Sequence, residues 1–302
     1  MSAGLVPFAI GSETWGSILS PASNCGIAGL RPTYGRVSRY GAMTLSWSLD
    51  KIGPMGLTAD DCGLVLEAIA GADSLDPTTT NQPYTYAAAA DPTEKHWRLG
   101  VLKDITVNVD EAVRNNFAQT LEVLAQVASI EEVELPALPY EEITRTIVFA
   151  EAASAFEELI ESGQATELTA PEDHYGPYVR MAVLAKDYIR ALRLRGIIAR
   201  QMDAVLAGLD ALVGPARATP APRLDQELRS AAGGTARDIM GAIGNGLGLP
   251  AITVPNGFSD KGLPTGVQFM GRAYDENAIL AVARVYQSLT TWHLRHPPEL
   301  AS

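Results

Sequence analysis

The chain has 302 residues, 47% of them hydrophobic, and a formal net charge of −12. That length can bury a sizeable core as one large domain or two moderate ones. The acidic total, without any Lys/Arg cluster, argues against direct nucleic-acid binding, and no apolar run reaches the roughly 18 residues of a membrane span. Two cysteines, Cys25 and Cys62, are too few for a disulfide framework or a zinc site and read as buried thiols of a reducing cytoplasm. The opening MSAGLVPFAIG has no basic n-region, so no signal peptide is expected. Neither a metal nor a cofactor is called for.

In chain order, residues 2–4 read as the end of a small-residue helix and 6–10 as a buried strand, followed by a loop over 12–17. Residues 25–30 are apolar and Gly-rich enough for a covered strand. Asp60 caps a helix over 61–70 that ends at Gly71, and 73–83 is a polar, proline-bounded loop. A strand at 98–102, an Asp110-capped helix to about 127 and a strand at 130–135 follow. Long helical stretches span 141–162 and 178–208, and a buried strand at 211–215 leads into a Pro-rich loop at 218–222. A helix at 236–243, strands at 251–254 and 266–270 joined by a turn at 259–262, and a closing helix at 276–287 complete the chain. The alternation predicts an α/β fold, a mixed β-sheet core covered by helices, as a single domain over 1–302 with a mainly helical variable region at about 141–208.

Residues 11–56 stand apart: dense in Gly, Ser and Thr, interrupted by Pro21, Pro32 and Pro54, and unlike a helix in composition. Such a run can bring bare backbone N–H groups and small hydroxyls close to a bound group. No Lys follows the glycines as in a P-loop, the Rossmann spacing is absent, and Ser17 has Trp15 and Leu19 where a hydrolase elbow needs glycines. His96 and His174 sit in loop-like surroundings and His293 and His296 in the tail, so nothing favours a Ser-His-Asp arrangement. What remains is serine chemistry with a neutral, buried lysine as proton relay and backbone N–H groups holding the oxyanion. On composition alone a purely structural loop fits equally well.

The same stretch resembles the signature of the amidase signature family, roughly G-S-D-T-G-G-S-I-R-x-P-A, then G-x-x-G-L-K-P-T-x-G-R-V-S-R-x-G, then S-L-D-x-x-G-P. The matching pieces are Gly11-Ser12-Glu13-Thr14, Gly16-Ser17-Ile18, Pro21-Ala22, Gly29-Leu30-Arg31-Pro32-Thr33, Gly35-Arg36-Val37-Ser38-Arg39, Ser48-Leu49-Asp50 and Gly53-Pro54. Weaker likeness continues in GADSLDPT from Gly71, in Phe149-Ala150-Glu151-Ala152, in GLPAITVP from Gly248 and in LPTGVQ from Leu263. The pieces at 36–39 and 48–54 look especially like the A subunit of a tRNA-dependent amidotransferase.

The resemblance implies amide hydrolysis through an acyl-enzyme, with Ser17 as nucleophile and the backbone N–H groups of Thr14, Trp15, Gly16 and Ser17 as the oxyanion hole. The family's triad also uses a serine in a cis peptide and a lysine, both upstream of the part matched here. The expectation is therefore a family member without its N-terminal third, its Ser-Ser-Lys triad incomplete. Among the five lysines, Lys51 is nearest in sequence but falls at a variable position of a structural segment, and Ser2 lies too late to be the bridging serine. Trp15 replaces a small residue beside the oxyanion loop, and Leu19 replaces a common Arg after the nucleophile.

Three functions follow: an acyl hydrolase of small amides, an A subunit of an amidotransferase, or an inactive remnant or scaffold. The implied partner is a small-molecule amide, with no nucleic acid held directly, no membrane, a cytoplasmic location and a homodimer left open. Trp47, Tyr34 and Tyr40 read as packing residues, Glu151, Glu157 and Glu158 as a solvated helix face with one inward turn, and Asp73 and Asp76 as turn formers.

Overall fold

The computed structural model describes residues 1–87, 95–226 and 238–297, with only the backbone described at Glu172. Eight strands form one mixed sheet in the order β1-β3-β2-β7-β8-β6-β4-β5. The strands are β1 (Ala9–Glu13), β2 (Ala28–Arg31), β3 (Lys51–Gly56), β4 (Trp97–Leu102), β5 (Ala128–Val133), β6 (Ala211–Pro215), β7 (Ala251–Phe258) and β8 (Pro264–Met270). Strand β4 runs parallel to β5 and β6, while the remaining pairings are antiparallel.

Consecutive strand residues point to opposite faces, and the core divides accordingly. Ile252, Val213 and Phe269 belong to one apolar cluster, whereas their neighbours Ala251, Leu212 and Met270 belong to the other. Helices α2 (Ala59–Ile69), α3 (Glu111–Leu124) and α9 (Glu276–Ser288) supply the first cluster. Helices α4 (Tyr140–Ala155), α7 (Ala185–Leu206) and α8 (Ile239–Leu247) supply most of the second. Short helices α5 (Glu157–Glu161) and α6 (Gly176–Arg180) lie between α4 and α7 in the chain.

Several local expectations are corrected. Residues 2–4 form a turn, closed by the Gly4 N–H on the Met1 carbonyl at 2.7 Å, and not a helix tail. Strand β1 begins at Ala9 and continues to Glu13, inside the stretch read as a loop. The segment expected to be unlike a helix contains α1 (Leu19–Cys25). Pro21 is tolerated there because it sits in the first turn, where the N–H has no intrahelical partner. Gly26 ends α1 in the left-handed region at φ 64°, which leaves Cys25 exposed, contrary to the buried thiol expected; Cys62 is buried. Strand β3 escaped detection because Gly53 and Pro54 break its apolar pattern, although both pair with β1. Helix α2 starts at Thr58, not Asp60, through a capping box in which Asp61 and Thr58 exchange hydrogen bonds. Its C-cap is Ala70.

A buried ion pair ties distant parts of the chain together. At the start of α9, Glu276 pairs with Arg36 Nη2 at 2.8 Å and also accepts the Thr33 N–H at 2.9 Å, with both side chains out of solvent. Arg36 is further covered by the Tyr274 ring, 4.7 Å away. The C-terminal helix thus holds the turn that follows β2. The turn formers behave as expected: Asp76 accepts from Thr78 and from the Arg39 N–H. Burial alone would raise the Asp76 carboxyl, but these donors override it and hold its pKa at about 2. Glu157 and Glu158 are exposed while Glu151 is buried. Tyr40 and Trp47, expected to pack, are 66% and 47% exposed.

Replacing Glu276 by Gln leaves the Arg36 charge buried without its partner. Such a loss costs about 3–5 kcal/mol, and a fall of that size in unfolding free energy is expected by urea denaturation.

Candidate active site

The loop joining β1 to α1 carries residues 14–17. Gly16 adopts φ +89°, a conformation open to glycine, and a Cβ there would meet Ser20 Oγ at 3.0 Å. The Gly16 carbonyl accepts the Ser20 N–H at 2.8 Å, so the helical turn begins inside the loop. Trp15, Gly16 and Ser17 donate their N–H groups to no described acceptor.

Helix α1 has no side-chain cap from its own N-cap residue, Ile18. Glu13 takes that role from the end of β1: its Oε2 accepts the N–H groups of Ile18 at 2.8 Å and Leu19 at 3.0 Å. Its Oε1 accepts from Arg31 Nη1 at 2.8 Å, with both side chains fully buried. Arg31 Nε donates to the Leu249 carbonyl at 3.0 Å, which links the pair to the β7 side of the sheet. A Cβ at position 244 would come within 2.2 Å of Arg31 Nη2, so α8 needs glycine at Gly244. Burial pushes the Glu13 carboxyl up, but the Arg31 and Lys51 charges and the hydrogen bonds outweigh it and hold it below the usual range.

A second carboxylate fixes the other end of the loop. Asp50 accepts from Thr14 Oγ1 at 2.5 Å and from the N–H groups of Leu45 at 2.8 Å and Ser46 at 3.0 Å. Glu151 on α4 extends the network, accepting from Ser46 Oγ, from the N–H and Oγ of Ser48, and from Tyr188 OH at 2.9 Å. The helical region is therefore anchored to the Ser48-Leu49-Asp50 segment.

Ser17 is exposed and opens into a cavity of about 180 Å³, whose lining includes Ser12, Thr14, Arg39, Asp50 and Lys51. No histidine lines that cavity. Lys51, opposite Glu13 in the β1–β3 register, is 2% exposed, and its Nζ has no hydrogen-bond partner among the described residues. Burial, reinforced by the Arg31 charge, drives its pKa far below the ordinary lysine value despite the opposing Glu13 and Asp50 charges. Of the residues singled out from sequence, Thr14 and Ser17 share the cavity wall, whereas the Trp15 indole turns away and donates Nε1 to Asp238 at 2.7 Å. Leu19 is buried in the apolar cluster with α4, α7 and α8, so the common Arg is replaced by a core side chain. Sequence reasoning missed Glu13, Arg31 and Asp50 as functional supports. All three lie within the motif, but their partners are up to 218 positions away.

The profile of the Amidase family matches residues 1–280. The chain belongs to that family, the amidase signature proteins. Among its curated relatives, the A subunit of the glutamyl-tRNA(Gln) amidotransferase of Geobacillus kaustophilus is 35% identical over 98% of the chain. The chain spans 66% of that relative's length. The structure of the corresponding Thermotoga maritima protein superposes with a TM-score of 0.78 at 32% identity, over 94% of this chain and 62% of that one. Peptide amidase from Stenotrophomonas maltophilia gives a TM-score of 0.78 at 31% identity, over 100% of this chain and 65% of that one. Family membership and the amidase fold, with its mixed sheet, are thereby shown. No helix of the described residues is long and apolar enough to cross a membrane.

Glu13→Gln keeps the shape of the side chain but strands Arg31 in the interior. A loss of about 3–5 kcal/mol in urea denaturation is expected. Because the folded-state pKa of Glu13 is depressed, its stabilisation is complete above about pH 4.5 and is lost as pH falls through the lowered value. The acid-unfolding limb of the variant is accordingly expected to be shallower than that of the unaltered chain.

Proposed function

We propose that this family member is an amide hydrolase that works through a serine acyl-enzyme, with Ser17 as nucleophile on a small carboxamide. The observation that supports it best is the Ser17 loop itself: an exposed hydroxyl beside a small cavity, on a turn clamped at both ends by buried or half-buried carboxylates. Such clamping holds a nucleophile and its neighbouring N–H groups in place before the substrate arrives, which is what electrostatic stabilisation of an oxyanion requires. In this reading Ser17 Oγ attacks the amide carbonyl, the N–H groups of residues 14–17 receive the developing oxyanion, and the amine leaves. Water then releases the acid.

The Trp15 indole, held by Asp238, places an aromatic surface beside the loop where the family motif has a small residue. A second reading, the A subunit of a tRNA-dependent amidotransferase, is favoured by the names and 35–36% identity of the relatives over 98% of the chain. Glutaminase activity that rises when partner subunits and glutamyl-tRNA are added would select it.

Ammonia release from a panel of small carboxamides tests the hydrolase reading. Ser17→Ala is expected to lower turnover by at least about a thousandfold. Turnover that survives the substitution, or a chain that hydrolyses no member of the panel and no glutamine, sinks it.

A further inference from the structure

We propose that Arg217 binds a carboxylate of the substrate, so that the site selects amides whose acyl part carries a second, anionic carboxyl group. The inference rests on the reading of Ser17 as nucleophile and names the substrate class which that reading leaves open.

A cavity of about 160 Å³ lies beyond the carboxyl ends of the parallel strands β4 and β6. Ile105, just past β4, lines it together with Ala216 and Arg217, just past β6. Strand β4 is followed by α3 on one face of the sheet, and β6 by α8 on the other. Strand ends whose connections diverge in this way leave a crevice between them, and ligands of such sheets bind there.

The same cavity borders the Ser17 loop. Ser20 and Asp238 both line it. The Ser20 N–H bonds the Gly16 carbonyl at 2.8 Å, and Asp238 holds the Trp15 indole at 2.7 Å. Ser17 and Ser20 are three residues apart on this helical turn, a spacing that sets Cβ atoms about 5–6 Å apart. A group seated in the cavity is thus within a few bonds of a carbonyl under attack by Ser17.

Arg217 is the cation of this cavity. Its side chain is partly exposed, and of its three nitrogens only Nε is both enclosed and without a partner. The two Nη groups are open to a ligand, and they make no hydrogen bond or ion pair among the described residues. Asp238 is the carboxylate whose charge acts on Arg217, but its oxygens are engaged elsewhere. Oδ2 accepts from Trp15 and Oδ1 accepts the Gly241 N–H at 2.9 Å.

A guanidinium stays charged at any working pH and offers a planar fork of donors that matches a carboxylate. Ile105, Val109 and Met240 supply an apolar wall beside it, where such a pairing is stronger than in water. A sphere of the cavity's volume is about 7 Å across, the reach of a three- or four-carbon acid. The fitting class is the monoamide of a short dicarboxylic acid.

Ammonia release from succinamate, with butyramide as its uncharged counterpart, tests this on the unaltered chain. The kcat/KM for succinamate is expected to exceed that for butyramide by at least about tenfold. Arg217→Met is expected to bring the ratio to within about threefold of one. Arg217→Lys keeps the charge without the fork and is expected to fall between the two. Calorimetric binding of succinamate to the Ser17→Ala chain, in which the nucleophile is gone, is expected to weaken at least about tenfold when Arg217→Met is added. A cooperative melt is expected of each variant.

A preference within about threefold on the unaltered chain overturns the proposal without recourse to any variant. So does succinamate binding that is absent, or that Arg217→Met leaves unchanged. The arms separate the two readings. Arg217-dependent binding with no turnover of either amide leaves the carboxylate site standing and removes the hydrolase. Ser17-dependent turnover with equal rates for the two amides does the reverse.

Discussion

The Glu13–Arg31 pair is the constraint on which the site depends. One carboxylate, fully buried, caps α1 immediately after Ser17 and neutralises an arginine that reaches across the sheet to the Leu249 carbonyl. Taken alone, such a pair is a poor source of stability, since desolvating two charges offsets most of their attraction. Its value here is positional. The helix start, the end of β1 and the middle of the sheet cannot move independently without leaving a charge unpaired in the interior. A serine on that turn inherits the rigidity of the sheet.

Asp50 and Glu151 apply the same device at the other side of the loop. Asp50 gathers Thr14 and two backbone N–H groups, and Glu151 gathers two serines and a tyrosine. Through Glu151 the helices between β5 and β6 are coupled to the segment that carries Asp50. Changes in that helical region therefore have a physical route to the Ser17 loop: a hydrogen-bond network with fixed partners at each step.

Lys51 contrasts with these groups. Arg31, Glu13 and Asp50 are each held by several partners, whereas the Lys51 amine is buried beside them with none among the described residues. Leaving a polar group in that condition lowers stability, and polar groups that persist at such a cost concentrate where chemistry occurs. Relatives sharing the fold carry names as different as a peptide amidase and one component of an amidotransferase. The fold thus occurs in proteins with more than one named amide chemistry.

By itself the sequence determined the family and the order of most elements. Gly11 to Gly56 is a long ordered motif, and capped helices such as the one after Asp110 announce themselves through residues adjacent in the chain. It also located the loop around Ser17, because glycine and serine clusters have local consequences for the backbone. What it could not decide were features whose causes lie far along the chain. Helix α1 is seven residues long and contains a proline, so it forms because Glu13 caps it and the sheet supports it. Strand β3 has Gly53 and Pro54 in its middle and exists only through pairing with β1 and β2. The burial of Lys51 is invisible in a variable position of a motif. Only tertiary structure decides it, because burial and the engagement of nearby carboxylates are properties of the packed chain, not of a residue's neighbours in sequence.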